Sequence, residues 1–444
     1  MKIAIISYYY KHKRAMASVR AEKLAKYLSR GGDDITVFTS LQRDTWTCEY
    51  KEPVPDKAIR EIYAHEIKIW GRTRAFLDKR RARGLAHMAD SADDTSTSKA
   101  PLCKGRASIT KRIKNYIRWR FYFLLSRHED RCLFKGLVKE YKRQGRPRFD
   151  TAIATYPSYG AVLFGMWLKG HGYTKRLALD LRDPIVNPAV RQRKSEIRYD
   201  RKCQRRALKH SDFAVCVSYG ILESIKEDAD RLGLPCSVIT NGYDPDDIPN
   251  EGFDYETCAF NFLYVGSMYH GKRSVDMLAS GLRKLIDRGK IKKTDICINY
   301  CGGEYEVLLS QLDKYSLGDI SKNHGSVSRE TSLAMQRGAD ALILLTWNES
   351  GGGTGVIPGK LFEYISVGVP IVGIVLGDLA KSEVRAIIED GRFGIVCEEA
   401  EPDGDVFEAE LLALITEGKT VDANKERYSY ARLASDFKKF IVED

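Results

Sequence analysis

Glu349-Ser-Gly-Gly-Gly-Thr-Gly-Val-Ile-Pro-Gly-Lys-Leu-Phe-Glu-Tyr-Ile-Ser-Val-Gly-Val-Pro370 reads as loop, helix and strand entry in a single run. Glycines 351, 352, 353 and 355 free the backbone to approach a ligand closely. Pro358 suits a first helical turn, Leu361, Phe362 and Ile365 give a one-sided apolar face, and Gly368 followed by Pro370 stops the helix before the strand 371–375. A glycine loop feeding a helix start presents unpaired N–H groups and the positive end of the helix dipole, which together suit a phosphate. Glu363 stands far enough into that helix to accept hydrogen bonds from a vicinal diol such as a ribose. The other reading of the same residues is a surface loop with Lys360 and Glu363 as a solvated i,i+3 pair.

Outward from this stretch the chain alternates strand and helix patterns. Upstream lie a strand at 339–346, a turn Asn323-His-Gly-Ser-Val-Ser-Arg329, a strand and glycine loop Asp295-Ile-Cys-Ile-Asn-Tyr-Cys-Gly-Gly303, and Asn261-Phe-Leu-Tyr-Val-Gly-Ser267 with a helix at 275–287. Downstream come 376–379, 391–396 and an amphipathic closing helix at 429–441. At the N-terminus, Lys2-Ile-Ala-Ile-Ile-Ser-Tyr8, a helix at 17–28 and a strand at 34–39 form a βαβ unit, which opens a doubly wound sheet. The alternation resumes with a strand at 149–155, a helix at 161–169, and a strand ending in Asp180-Leu-Arg-Asp183, so that charge stands at a carboxyl edge where open α/β sheets bind ligands. A basic helix at 196–207, a strand at 213–218 and the turn signal Asn241-Gly242 follow, and the Asp- and Pro-rich run 244–256 reads as a linker.

Residues 42–148 carry the weakest pattern. Ala89 to Ser98 is a Ser/Thr/Asp-rich linker expected to lack order, and 109–125 reads as a basic helix with interleaved aromatics. Such a helix suits an anionic membrane interface, or equally a core contact whose cations form its wet side. No nucleic-acid-binding module is recognisable.

At 444 residues the chain exceeds one hydrophobic core and points to two domains. With 43% hydrophobic and 30% charged residues it is an ordinary globular composition, and no apolar run is long enough to span a bilayer. The strand-like N-terminus is too short for a signal segment, so the cytoplasm is the expected compartment, with the inner membrane face left open. Ten scattered cysteines without a C-x-x-C pair imply reduced thiols and no metal site, while a formal charge of +12 suggests a polyanionic partner or surface.

The run from Val356 to Pro370 resembles the donor-site motif of family-4 glycosyltransferases, in the branch written P-x-K-L-x-E-Y-x-x-x-G-x-P and common in capsule, O-antigen and exopolysaccharide synthesis. Asp180-Leu-Arg-Asp183, Ser237-Val-Ile-Thr-Asn-Gly-Tyr-Asp244 and the region Val265 to Arg273 are similar to further segments of that family. The resemblance implies a GT-B fold, two Rossmann-like domains facing across a cleft. It assigns 1–245 to an acceptor-side domain with the basic, partly disordered insertion at 42–148, 246–260 to a linker, 261–425 to a nucleotide-sugar domain and 426–444 to a helix returning to the first domain. It implies a hexosyltransferase that retains anomeric configuration, with a nucleotide-diphosphate sugar as donor, a glycan or polyprenyl-linked acceptor and no cofactor or metal.

The catalytic residues it implies are Lys272, Arg273, Arg182 and Asp183; solvated cations, and a pair that merely ties down a loop, are the other readings of these. The donor-side residues are Gly266, Ser267, Gly302, His324, Gly325, Gly353, Thr354, Gly355, Val356, Lys360 and Glu363, and the acceptor-side residues are Ser18, Arg20 and Ser158. Two departures stand out: Ser267 replaces the family's arginine, and Gly355 replaces its first glutamate. A nucleotide-sugar 2-epimerase of the same fold and a non-catalytic nucleotide-sugar-binding scaffold are the alternatives.

Overall fold

The computed structural model describes residues 1–11, 16–41, 58–64, 109–187, 193–255, 259–350, 355–401, 404–418 and 425–443. The chain divides into two compact units, Met1–Asp180 and Leu181–Asp444.

The first sheet is built from β1 (Lys2–Ile6), β2 (Asp34–Ser40), β3 (Arg60–Ala64), β4 (Phe149–Tyr156), β5 (Thr174–Leu181), β6 (Phe213–Cys216) and β7 (Cys236–Val238). Its order is β3-β2-β1-β4-β5-β6-β7, so the chain runs outward from β1 to one edge and then from β4 to the other. β1 pairs in parallel with both β2 and β4. Ile3, Ala4, Ile5 and Ile6 are all buried, as expected of a strand covered on both faces. The helices are α1 (Met16–Arg30), α2 (Ile109–Arg143), α3 (Tyr159–Gly170), α4 (Lys194–His210) and α5 (Tyr219–Leu232). Ser158 caps α3 and Ser218 caps α5, each accepting an amide from the first turn.

Two readings of the 42–148 stretch change. It contributes a strand, β3, to the edge of the sheet, where it pairs in parallel with β2. The helix expected at 109–125 continues to Arg143, a span of 35 residues, and its second half is anchored by Leu137 and Tyr141, both buried. Tyr141 meets Phe38, Phe164 and Trp167, which fix the helix to β2 and α3. The linker expected at 89–98 lies outside the described residues.

The second sheet comprises β8 (Phe260–Val265), β9 (Ile296–Cys301), β10 (Ser321–Asn323), β11 (Ala341–Trp347), β12 (Ile371–Leu376) and β13 (Gly394–Glu398), in the order β10-β9-β8-β11-β12-β13. Its neighbouring strands pair in parallel. Helices α6 (Asp276–Asp287), α7 (Tyr305–Asp313), α8 (Arg329–Gly338), α9 (Lys360–Val367), α10 (Glu383–Asp390) and α11 (Gly404–Glu417) connect and cover these strands. One face is closed by Leu278, Leu282, Leu308, Leu312, Leu411 and Leu414. The other is closed by Leu361, Phe362, Ile365, Val384 and Ile388. The closing helix α12 (Tyr430–Glu443) sets Phe440 against Phe213 of β6.

These sheets are the two Rossmann-like α/β layers expected from the sequence. Each reverses its strand order once, between β1 and β4 and between β8 and β11, and ligands of open α/β sheets gather beyond the carboxyl ends of strands at such a reversal.

Candidate functional site

The loops that follow β8 and β11 leave the sheet on either side of its reversal, and most of the residues singled out in the sequence meet there. Gly266 ends β8 with φ +136°, a conformation that favours glycine, and a Cβ on it would lie 3.1 Å from Lys360 Nζ. The Lys360 ammonium, from the start of α9, donates to the Val265 carbonyl oxygen at 2.6 Å. Burial pushes the Lys360 amine down to about 8, with Arg273 adding to this and Glu363 opposing it. Lys360 is therefore not half of a solvated pair with Glu363. It is a partly desolvated cation at the tip of the first strand of this sheet.

Gly302, after β9, closes the same corner. A Cβ there would fall 2.4 Å from the Gly266 carbonyl oxygen and 2.3 Å from the Tyr300 hydroxyl, so only glycine lets the two loops touch. The Tyr300 hydroxyl donates to Gly266 O at 2.9 Å and accepts the Glu304 amide at 3.0 Å. Glu304 in turn accepts the Met268 amide at 2.8 Å and the Ser267 hydroxyl. Ser267 thus fastens the loop to a carboxylate.

Lys272 and Arg273 both have partners, although Lys272 remains 44% exposed. The Lys272 ammonium sits 4.2 Å over the Trp347 ring and 3.5 Å from Glu349. The Arg273 guanidinium lies 4.5 Å over Tyr269 and 5.7 Å from Trp347, and its Nη1 donates to the Tyr264 hydroxyl and to Ser267 O, each at 3.2 Å. Cation–π contacts of this kind contribute about 0.5–1 kcal/mol each at exposed positions. Trp347 and Tyr269 meet edge to face at 5.8 Å, and sequence reasoning missed both. The available signal was an aromatic at a strand's carboxyl end.

His324 and Gly325 stand beside Gly302, whose amide donates to Gly325 O at 2.9 Å. His324 Nε2 pairs with Asn299 Oδ1 at 2.8 Å, and burial together with Lys322 lowers the imidazole pKa, favouring its neutral form. Gly355 takes φ +70°, with Gly220 Cα 2.6 Å from where its Cβ would be. The Val356 carbonyl oxygen faces the Thr346 hydroxyl at 3.4 Å. Gly353 and Thr354 lie outside the described residues.

Glu363 is buried, and Arg329 reaches its Oε1 through Nη2 at 3.0 Å and Nε at 3.3 Å. The arginine was not among the residues expected at the site.

Two parallel α/β sheets, the second ordered like a dinucleotide-binding one, set the architecture. The fold is GT-B. Across its whole length the chain is similar to the apo form of lipopolysaccharide outer core galactosyltransferase WaaB, with 16% identity, 99% of that chain covered and a TM-score of 0.55. Sucrose-phosphate synthase from Thermosynechococcus elongatus matches over 100% of this chain and 98% of its own, at 11% identity and a TM-score of 0.58. Anabaena HepE in complex with UDP matches over 100% and 99%, at 12% identity and a TM-score of 0.58. No protein-family model matches the chain, and no curated protein matches it.

The remaining expected residues belong to the first sheet. Arg182 and Asp183 directly follow β5; the Asp183 carboxyl reaches solvent, yet the protein around it raises its pKa, an effect Arg182 partly offsets. Arg20, expected to face an acceptor, is instead buried in α1. Its Nε and Nη2 grip Asp180 at 2.8–3.2 Å, and the Thr155 hydroxyl donates to the same carboxylate at 3.1 Å. Ser18 on α1 is also buried. Ser158 accepts the Gly160 amide at 3.1 Å and bonds Asp130 of α2. Among the described residues no group of His, Cys, Asp and Glu could hold a metal, and no helix is long and apolar enough to cross a membrane.

Proposed function

We propose that the chain is a glycosyltransferase of the family-4 type, moving a hexose-type sugar from a nucleoside diphosphate to a hydroxyl of a glycan or polyprenyl-linked acceptor. The observation that carries this reading is the convergence of Lys272, Arg273 and Lys360 with Gly266 and Gly302 at the β8/β11 reversal, with Glu363 one helical turn beyond Lys360. When the bond between the anomeric carbon and the diphosphate oxygen breaks, the leaving group gains negative charge. Fixed cations and amide dipoles at that place lower the barrier directly.

In this reading Lys272 and Arg273 meet the diphosphate, Lys360 adds charge from below, and Glu363 takes the ribose hydroxyls. Gly325 and His324 border the base, and the amides of Gly355 and Val356 add dipoles at the departing diphosphate. Arg182 and Asp183, just past β5, complete the catalytic set, and Ser158, just past β4, serves the acceptor, with the buried Ser18 and Arg20 as scaffold. The reading includes retention of configuration, a role in cell-surface polysaccharide synthesis and no metal or cofactor. That HepE is solved with UDP and with UDP-glucose supports a nucleotide-sugar donor.

Peripheral contact with an anionic inner membrane surface belongs to the same proposal. What supports it is α4, whose Lys194, Arg198, Arg201, Lys202, Arg205, Arg206 and Lys209 are exposed while its acids Glu196 and Asp200 are buried. Sedimentation with anionic vesicles but not neutral ones is the expected result, and equal partition between the two would remove this part. A scaffold without turnover draws support from Glu304, a carboxylate at the loop where the family has a cation.

Transfer and hydrolysis assays over a panel of UDP, GDP and CMP sugars separate the readings, since the scaffold predicts binding with no product. In calorimetry, Glu363→Ala should weaken nucleoside diphosphate binding about tenfold, the loss of one good hydrogen-bonding carboxylate. The same titrations run upward through pH 8 should show affinity falling, because Lys360 loses the proton that the diphosphate favours. An affinity indifferent to both changes would place the nucleotide elsewhere.

A further inference from the structure

Glu363 is gripped on one side only. Arg329 Nη2 and Nε both donate to Oε1, at 3.0 and 3.3 Å, whereas Oε2 has no hydrogen-bond partner among the described residues. Arg329 is itself fixed from the far side, its Nη1 donating to Asp247 Oδ2 at 3.0 Å. The Glu363 side chain is 11% exposed, that of Asp247 26% and that of Arg329 between them 41%, so the arginine joins a nearly enclosed carboxylate to a more open one. Arg329 occupies the first position of α8, where the helix dipole disfavours a cation. Its place there is offset by the two acids it joins.

We infer that Arg329 is a positioning residue for ribose recognition: by holding Oε1, it turns the unoccupied Oε2 of Glu363 toward the hydroxyls of a nucleoside diphosphate. This deepens the donor-site reading and rests on it. A carboxylate left alone on a short helix would rotate about its last two torsions and would carry its full charge toward an incoming polyanion. The arginine eases both problems, since its two donors pin Oε1 in place and its charge offsets that of the carboxylate. Asp247 keeps the fork from following the ligand.

The test separates positioning from simple charge. A lost cation weakens any diphosphate equally, whereas a lost orientation weakens only ligands that carry the hydroxyls. Binding of UDP and GDP and of their 2′-deoxy and 3′-deoxy forms is measured by calorimetry for the wild type, Arg329→Ala and Arg329→Lys, with thermal melts to show that each is folded. The wild type should prefer the ribonucleotide about tenfold. Arg329→Ala should reduce this preference to about twofold or less, and Arg329→Lys, which retains one donor and the charge, should recover part of it. A wild type that binds neither UDP nor GDP overturns the donor-site reading and this inference with it. Binding with an intact ribose preference in folded Arg329→Ala leaves the donor site standing and overturns the role given to Arg329. Should the alanine variant not fold, Arg329→Lys decides the matter: a preference unchanged from wild type, despite the lost fork, overturns the role.

Discussion

Arg20→Ala is expected to lower the free energy of unfolding by about 3–5 kcal/mol, read from urea denaturation. Arg20 is 1% exposed and Asp180 is fully buried, with three nitrogen–oxygen contacts of 2.8–3.2 Å between them. Removing the arginine leaves a carboxylate in apolar surroundings with Thr155 as its remaining described donor, and that uncompensated charge is what destabilises. The double variant Arg20→Met, Asp180→Leu should recover most of the loss, because a buried pair is often no more stable than apolar groups of similar volume. If Arg20→Ala unfolds like the wild type, the side chain is not held by Asp180 and an acceptor-facing role returns.

Arg273→Ala should reduce turnover about 10²- to 10³-fold with whichever donor the panel identifies, the range typical for deleting one preorganised charge donor. Arg273 is tied at two points, to Tyr264 and to the Ser267 carbonyl, and rests on the Tyr269 ring. Little reorganisation is then needed when charge develops on the leaving group. Lys272→Ala should cost less, since Lys272 is nearly half exposed and already shared with Glu349. Equal and small losses for both variants would mean that the diphosphate is bound by other groups.

The fold was legible because its strands are short apolar runs between helices, a pattern that needs only local reading. β1, β8 and β12 were all apparent this way, as was the Gly368 stop of α9. The 42–148 stretch resisted for a physical reason. α2 is basic over its first half and finds its partners, Phe38 and Trp167, in elements distant in sequence, so its length is set by tertiary contact and not by its own pattern. The candidate site divides in the same manner. Glycines and lysines in the loops announced themselves by type and spacing. Arg20 with Asp180 and Arg329 with Glu363 did not, because each pair is made by packing across 160 and 34 residues. One hint was available: Arg329 follows a Ser N-cap at a helix start, an unfavourable seat for a cation unless an acid comes to meet it.

The division between apolar strands and polar tips in the second sheet has an engineering corollary. β8, β9 and β11 contribute buried side chains to the scaffold, while the groups proposed to read the donor come from the loops beyond them and from the start of α9. An exposed loop side chain such as Tyr269 can therefore be exchanged to retune substrate choice with little penalty in folding. Drift in what the molecule accepts and persistence of its frame become separable under mutation.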